Sequence, residues 1–188
     1  MSEIFVHPHG ICESDQVGNG TRIWGFAHVM EGAIVGQHCN IGGNVFVEAG
    51  AIIGDQVTVK NGVQIWDGVT LESGVFVGPN VTFTNDLCPR SARPKGNWTL
   101  VPTLVQVGAT FGANSTIVCG NQIGRYAFIG AGSVVVKDVP AHGLLVGNPG
   151  RRIGWVCECA SQLSDDLFCS CGLKFEFVSE KVGLRKID

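Results

Sequence analysis

Residues 47–68 read VEAGAIIGDQVTVKNGVQIWDG and place an apolar residue at every sixth position. The spacing of six continues outward from there, over residues 11–83 and again over residues 105–135. The apolar positions of the repeat are Ile11, Val17, Ile23, Val29, Val35, Ile41, Val47, Ile53, Val59, Ile65, Leu71, Val77, Phe83, Val105, Phe111, Ile117, Ile123, Ile129 and Val135. An amphipathic α-helix repeats its apolar residues about every 3.6 positions. A period of six therefore excludes a helical origin for the pattern.

A small or β-branched residue follows four positions later in nearly every hexad, as at Ala51, Val57 and Val63. Short strands that each bury one apolar residue, joined by tight turns, close a triangular coil after three hexads, or eighteen residues. Stacked coils lie about 4.8 Å apart and hydrogen-bond to one another through the backbone. The repeat predicts an all-β chain that forms a left-handed parallel β-helix of about six coils.

The repeat divides the chain into four predicted segments. They are an N-terminal lead over 1–10, the β-helix over 11–140, a C-terminal connection over 141–156 and a cysteine-rich tail over 157–188. Residues 86–104 interrupt the repeat with three prolines and three basic residues, which predicts one long protruding loop. Because a loop of this length in a compact repeat is usually functional, we expect a site beside it. A neutral insertion at a tolerant corner is the alternative.

Composition limits the classes of partner. The formal net charge is −3, so nothing in the overall charge favours nucleic acid or an anionic membrane, although a local basic patch could bind phosphates. The first eight residues lack the basic and apolar regions of an export signal, and no apolar run reaches the roughly 18 residues needed to span a bilayer. The cysteines fit a reducing compartment, and we expect a cytoplasmic protein.

Six motifs carry a resemblance to a known family. They are RIWGFAHV at 22–29, VTFTND at 81–86, PRS at 89–91, GANSTIVCG at 112–120, VGNPGR at 146–151 and IGW at 153–155. With the hexads, they resemble the hexapeptide-repeat acyltransferases, and in particular the N-acetyltransferases of nucleotide-linked 3-amino sugars. That group includes the UDP-2-acetamido-3-amino-2,3-dideoxyglucuronate and the dTDP-3-amino-3,6-dideoxyhexose enzymes. The resemblance implies a homotrimer that binds acetyl-CoA in a groove between subunits, with the nucleotide-linked amino sugar entering from the other end.

The eighteen-residue register brings polar residues together where the loop leaves the coil. It places Asp67 one coil below Asn85, Trp66 below Thr84, and Gln64 below Thr82. The resemblance implies that Asn85 lies at the acetyl-transfer centre, where its amide could hold the attacking amine or the thioester oxygen. Asp67 is its predicted catalytic neighbour. An asparagine that only satisfies backbone groups in a turn is the alternative.

The predicted substrate-binding residues surround this pair. They are Gln64, Trp66, Thr84, Asp86, Arg90, Arg93, Lys95 and His28. An outward-facing tryptophan indicates either subunit packing or stacking on a base or sugar. The basic loop residues could bind a diphosphate, or could simply lie in solvent.

Histidine positions bear on the acceptor, because enzymes that acylate a hydroxyl commonly use a histidine as general base. In the register, His28 lies three coils below Thr82, roughly 14 Å away, and no histidine falls near Asn85. Since a sugar amine needs less activation, N-acetylation is favoured. His28 of a neighbouring subunit leaves O-acetylation as the main alternative. A γ-type zinc carbonic anhydrase and a non-catalytic scaffold are disfavoured, because neither three convergent histidines nor outward threonine rows are found.

The predicted acetyl-CoA contacts lie later in the chain. Lys137, Arg151 and Arg152 lie toward the end where the resemblance places the adenosine part, and they could contact its phosphates. The predicted pantetheine contacts are mainly backbone groups of Gly112, Ala113, Gly130 and Ala131.

The tail contains Cys157, Cys159, Cys169 and Cys171. Two cysteine pairs around a hairpin can hold tetrahedral zinc, which predicts a small structural zinc hairpin. Each pair here is separated by one residue instead of the usual two, so free thiols or disulfides remain alternatives.

Overall fold

The protein is described by a computed structural model that covers residues 3–92 and 99–187. Within these ranges the chain contains short strands and no α-helix. The strands are β1 Phe5–Val6, β2 Ile11–Cys12, β3 Arg22–Ile23, β4 His28–Val29, β5 Ile34–Val35, β6 Asn40–Ile41, β7 Phe46–Val47, β8 Ile52–Ile53, β9 Thr58–Val59, β10 Gln64–Ile65, β11 Val69–Leu71, β12 Phe76–Val77, β13 Thr82–Phe83, β14 Thr103–Val105, β15 Thr110–Phe111, β16 Thr116–Ile117, β17 Gln122–Ile123, β18 Phe128–Ile129, β19 Val134–Val135, β20 Gly143–Val146, β21 Arg151–Trp155, β22 Lys174–Ser179 and β23 Gly183–Ile187. None of the described elements is a helix that could cross a membrane.

Three sheets form the three sides of a solenoid, and their strand pairs are parallel except for the antiparallel pair β20–β21. Their strand orders are β1-β3-β6-β9-β12-β15-β18-β20-β21, β2-β4-β7-β10-β13-β16-β19 and β5-β8-β11-β14-β17. In the regular coils, strands three apart in the chain are neighbours in a sheet, and the partners are eighteen residues apart, as in Arg22 with Asn40 and Asn40 with Thr58. The predicted left-handed parallel β-helix is confirmed.

The first coil departs from the predicted register. Ile11 pairs with His28 and Cys12 with Val29, an offset of seventeen residues instead of eighteen. Ile11 is consequently 53% exposed, and Cys12 takes the half-buried position that the hexad count assigned to Ile11. The same offset joins Phe5, which falls in the predicted lead, to Arg22. The solenoid therefore has seven coils, beginning at Phe5, against about six predicted.

The core is the column of hexad residues inside the coils. Ile23, Ile41, Val59 and Ile65 are fully buried, and together with the small residue of each hexad they form one continuous cluster. A glycine next to the buried residue permits the close approach of coils. A Cβ on Gly36 would lie 2.5 Å from the backbone carbon of Gly54 in the next coil.

The long loop leaves the solenoid after β13. Leu71 pairs with Val105 across an offset of thirty-four residues, so this coil is sixteen residues longer than a regular one. The chain returns beside its point of departure, where the amide of Val101 donates to the carbonyl of Asn85 at 3.1 Å. Thr103 and Leu104, the end of the predicted loop, belong to β14.

The tail packs on the last coil. The backbone of Ala141 bonds to β23 and the turn before it, with Ala141 N donating to Val182 O at 3.1 Å and Leu184 N donating to Ala141 O at 3.2 Å. The next residue, His142, is buried, with its ring 5.4 Å from that of Tyr126 and 4.8 Å from that of Phe175. Ring contacts through His142 therefore join the tail to the solenoid.

We expect Gly36→Ala to lower the free energy of unfolding by about 1–3 kcal/mol, because the added Cβ must push two coils apart. Gly154→Ala is the matched control, since its Cβ would meet the flexible amide end of Gln162 at 3.3 Å. Thermal unfolding followed by circular dichroism gives the comparison. Equal midpoints for the two variants would contradict the packing argument.

His142 makes stability depend on pH. Burial lowers the pKa of its imidazole, an effect opposed by the bond to Val156 and by Glu158 and reinforced by Arg125 and Lys186. The unfolded chain then binds a proton that the folded chain resists, so this contribution is full above the ordinary histidine pKa of 6.5 and declines as pH falls below it.

We therefore expect His142→Asn to show a smaller drop in unfolding midpoint between pH 7.5 and pH 5.5 than the wild type does. His38→Asn serves as control, because His38 is exposed and holds a left-handed φ of 55° that asparagine tolerates. It should keep the wild-type drop. An unchanged drop in His142→Asn would refute the assignment.

Candidate active site

Asn85 and Asp67 lie next to each other where the loop leaves the solenoid. Asn85 is half-buried, and its Nδ2 donates to the backbone carbonyl of Asp67 at 3.4 Å. Its Oδ1 has no hydrogen-bond partner among the described residues. The bond through Nδ2 orients the side-chain amide of Asn85, and its oxygen remains an available acceptor where the loop leaves the solenoid.

Glu48 supports this pair from the coil below, and the sequence argument did not identify it. Glu48 Oε2 accepts a hydrogen bond from the amide of Asp67 at 2.9 Å. The signal was available, because the eighteen-residue register places Glu48 directly below Trp66. The carboxylate therefore positions the backbone that in turn holds Asn85.

Trp66 is anchored and half-buried, whereas the sequence predicted an outward-facing side chain. Its indole Nε1 donates to the carbonyl of Phe83 at 3.0 Å, and it packs against the core cluster. Its ring lies 5.7 Å from that of Phe46, a second residue that sequence reasoning missed. With its N–H already used, Trp66 offers a ligand only an apolar ring face.

Thr84 and Asp86 flank Asn85, and both side chains accept hydrogen bonds from backbone amides. Thr84 Oγ1 accepts a hydrogen bond from the amide of Cys119 in the coil above at 3.0 Å. Asp86 Oδ1 accepts one from the amide of Cys88 at 2.7 Å, which stabilises the first turn of the loop. Both side chains thus have structural contacts at the place where the register predicts substrate.

His28 lies in the same outward row as Gln64, but not beside Asn85. The row runs His28, Phe46, Gln64, Thr82 through four consecutive coils, as the register predicts. His28 Nε2 lies 3.1 Å from Glu13 Oε2, and this contact lowers the pKa of the Glu13 carboxyl. Within one chain, three strand spacings, roughly 14 Å, therefore separate His28 from Thr82, and Asn85 lies three residues beyond Thr82.

The basic residues of the loop are only partly described. Arg90 is exposed, as a diphosphate ligand or a solvated side chain would be. Arg93 and Lys95 lie outside the described residues.

The glycines assigned to acetyl-CoA have a structural explanation. Gly112 N donates to Ile129 O at 2.7 Å, and Gly130 N donates to Leu145 O at 2.8 Å. A Cβ on Gly112 would also lie 2.8 Å from the Cα of Ala131 in the next coil. Since the two amide hydrogens are used in stacking, these glycines can contact pantetheine through surface shape but not as donors. Ala113 lies next to Gly112 and its carbonyl accepts from Gly132 N at 2.9 Å.

The three cations assigned to the phosphates of acetyl-CoA lie near the end of the solenoid. Lys137 is exposed after β19, and Arg151 is exposed on β21 with Nη1 donating to the carbonyl of Gly150 at 3.0 Å. Arg152 is committed to the tail, because its Nη2 donates to Glu180 Oε2 at 2.6 Å and its guanidinium lies 4.1 Å from the centre of the Trp155 ring. Lys137 and Arg151 are therefore better placed to bind a phosphate.

The four tail cysteines come together. Their sulfur atoms all lie within 4.8 Å of one another. Burial raises the pKa of the Cys157 thiol to about 12, whereas the hydrogen bond with the Ser161 hydroxyl lowers that of Cys159 to about 6. The cluster is a candidate metal centre on the tail, separate from the residues around Asn85.

Comparison with known proteins identifies the repeat. A family described as bacterial transferase hexapeptide (six repeats) matches residues 16–49 and 50–85, and one described as the hexapeptide repeat of succinyl-transferase matches residues 107–137. Together these matches cover more than half of the chain.

Among relatives, the chain is 49% identical over 176 residues to the dTDP-3-amino-3,6-dideoxy-alpha-D-galactopyranose 3-N-acetyltransferase of Aneurinibacillus thermoaerophilus, covering 92% of this chain and 91% of that protein. Among solved structures, it resembles a maltose O-acetyltransferase from Clostridium difficile 630, with a TM-score of 0.58, 27% identity, and 65% of this chain and 69% of that chain covered. It shares the fold of a hexapeptide-repeat acetyltransferase from Vibrio cholerae complexed with acetyl-CoA, with a TM-score of 0.59, 24% identity, and 66% and 70% covered.

The repeat, its stacked coils and the extent of these matches agree, and the chain therefore belongs to the bacterial hexapeptide-repeat transferases as a hexapeptide-repeat acetyltransferase.

Proposed function

We propose that this protein transfers the acetyl group of acetyl-CoA to the 3-amino group of a nucleotide-diphosphate-linked amino sugar, with a dTDP-3-amino-3,6-dideoxyhexose as the first substrate to test. The observation that carries the proposal is the Asn85–Asp67 pair at the loop exit, where Asn85 Nδ2 donates to the Asp67 carbonyl and Oδ1 has no hydrogen-bond partner among the described residues. The Aneurinibacillus relative supports the choice of amine, sugar and nucleotide.

The proposed chemistry is direct attack by the amine. Asn85 Oδ1 accepts a hydrogen bond from the sugar amine, and the Asp67 carboxylate orients the same group. The nitrogen lone pair adds to the thioester carbonyl, the carbon–sulfur bond breaks, and the proton lost by nitrogen goes to the departing thiolate or to solvent. The products are the amide and free CoA.

The remaining assignments complete the proposal. Substrate contacts are Gln64, Trp66, Thr84, Asp86, Arg90, Arg93, Lys95 and His28, and acetyl-CoA contacts are Gly112, Ala113, Gly130, Ala131, Lys137, Arg151 and Arg152. We place the enzyme in the cytoplasm as a homotrimer. The β-helix would carry the catalysis, and the four tail thiols would hold a structural zinc ion away from Asn85.

Asn85→Ala is expected to lower kcat for the dTDP-amino sugar about 10²–10³-fold, because the amine loses its fixed acceptor. Asn61→Ala is the matched control, an exposed asparagine at another turn of the same solenoid. Release of CoA thiol measures turnover, and light scattering after gel filtration shows whether both variants keep the trimer. Full activity of a trimeric Asn85→Ala would remove Asn85 from the mechanism.

His28 separates N-acetylation from O-acetylation. His28 is paired with the carboxylate of Glu13, an arrangement that a general base can have. The likeness to a maltose O-acetyltransferase supports testing a hydroxyl acceptor as the alternative. We expect His28→Asn to retain most of the kcat with the amino sugar. O-acetylation with His28 as base would be favoured instead if the wild-type enzyme acetylated maltose or serine and His28→Asn lowered that turnover about 10²–10⁴-fold.

A further inference from the structure

The cysteine-rich tail contains the same hairpin twice. An antiparallel bridge between Val156 and Gln162 closes the first, and one between Phe168 and Lys174 closes the second. The bridges are twelve residues apart, as are the cysteine pairs that they enclose.

The two turns have matching backbone bonds. In the first, Cys157 N donates to Ser161 O at 2.9 Å and Ala160 N donates to Cys157 O at 2.9 Å. In the second, Cys169 N donates to Leu173 O and Gly172 N donates to Cys169 O, both at 2.8 Å. Ala160 and Gly172 both have positive φ, 68° and 97°. An alanine seldom adopts this conformation, so the turn geometry is maintained where the residue does not favour it.

Each hairpin contributes one buried and one exposed thiol to a common point. Cys157 and Cys169 are buried, whereas Cys159 and Cys171 are exposed. Between the hairpins, the sulfurs of Cys157 and Cys171 lie 3.5 Å apart and those of Cys159 and Cys169 lie 3.6 Å apart. Four sulfurs around zinc at about 2.3 Å stand about 3.8 Å from each other, close to these distances. A disulfide would require about 2.05 Å.

The buried core of the tail is small. Its buried cluster consists of Cys157, Leu163, Cys169, Phe175 and Leu184, and two of these five are the cysteines themselves. A core of this size rarely supports an independent unit without a cross-link or a metal. A shared ion would join the two hairpins and fix the strand pair β22–β23 beyond them.

We propose that Cys157, Cys159, Cys169 and Cys171 form a tetrathiolate zinc site, made from one hairpin used twice, and that the ion fastens β22–β23 over the last coil of the solenoid. This deepens the structural-zinc part of the proposed function and does not depend on the acetyl-transfer part. The fastened strands hold His142 against Phe175 and present Glu180 to Arg152. The zinc site is thus the clasp between the tail and the catalytic solenoid.

Metal content of the purified full chain tests the site without any substrate. After growth with added zinc, elemental analysis should find about one zinc per chain. The metal-free, reduced protein should bind Co²⁺ with the intense visible and near-ultraviolet bands of tetrahedral thiolate coordination. Cys159→Ser and Cys171→Ser, both at exposed thiols, should each lose most of the bound zinc, while Cys88→Ser, an exposed cysteine on the long loop, should keep it.

Limited trypsin digestion tests the clasp. The zinc-loaded chain should resist cleavage at Lys174, Lys181 and Arg185, and chelation should expose these bonds while the solenoid stays intact. The zinc site would be overturned if the purified protein contained no zinc and, when reduced, bound no Co²⁺. It would also be overturned if mass spectrometry of the purified protein showed a mass lower by four hydrogens, because that loss indicates two disulfides. Equal tail cleavage with and without zinc would overturn the clasp. Asn85→Ala should bind zinc normally, so failure of the acetyl-transfer proposal is seen separately.

Discussion

Backbone hydrogen bonding between successive coils governs the structure. Each short strand is only two or three residues long in most of the solenoid, so it is stable only when its neighbours eighteen residues away are in place. The buried hexad residue fixes which face turns inward, because a slip of one residue would expose it. Ile11 shows the effect: one residue lost from the first coil turns it outward and brings Cys12 to the inner face. An insertion is therefore tolerated only where it leaves at a corner and returns beside its own start, as at Asn85 and Val101.

This rule explains how much of the fold and of the candidate site could be predicted. The period alone predicts the pairing of Gln64 with Thr82 and the contact of Asn85 with Asp67, since a fixed offset converts sequence distance into spatial neighbourhood. Side-chain direction does not follow from the offset. Trp66 packs against the core cluster, and its indole N–H donates to the carbonyl of Phe83, a contact that the offset does not specify. The same offset places Phe46 below Gln64 and Glu48 below Trp66, but it does not show that the Glu48 carboxylate turns to the amide of Asp67 or that the Phe46 ring meets Trp66.

The glycines show where a motif has two explanations. Gly112 and Gly130 fit a groove for a pantetheine chain, yet their amides and the space beside them are already taken by the neighbouring coil. The tight stacking that makes the solenoid also makes a smooth groove along it, so small residues serve both needs at once. Sequence cannot separate these two roles for a glycine. For the exposed charged side chains of Lys137 and Arg151 the packing role is absent, and the proposed contact with acetyl-CoA is what an experiment has to test.

Residues 140–156 connect the stacked coils to the tail: β20 pairs with the last coil, and Ala141 hydrogen-bonds to the tail. The solenoid gains stability with each added coil, but its last coil presents an open apolar end and unpaired strand edges, which invite association with other chains. Here β20 and β21 turn back on the edge of β18, and the tail strands cover the end through Ala141 and His142. The covering unit has a buried core of only five residues, two of them cysteines, and it contacts the end of the solenoid through Ala141 and His142. A repeat that can always add another coil needs a distinct structure to end it. In this chain the cysteine-rich tail is the structure that covers the last coil.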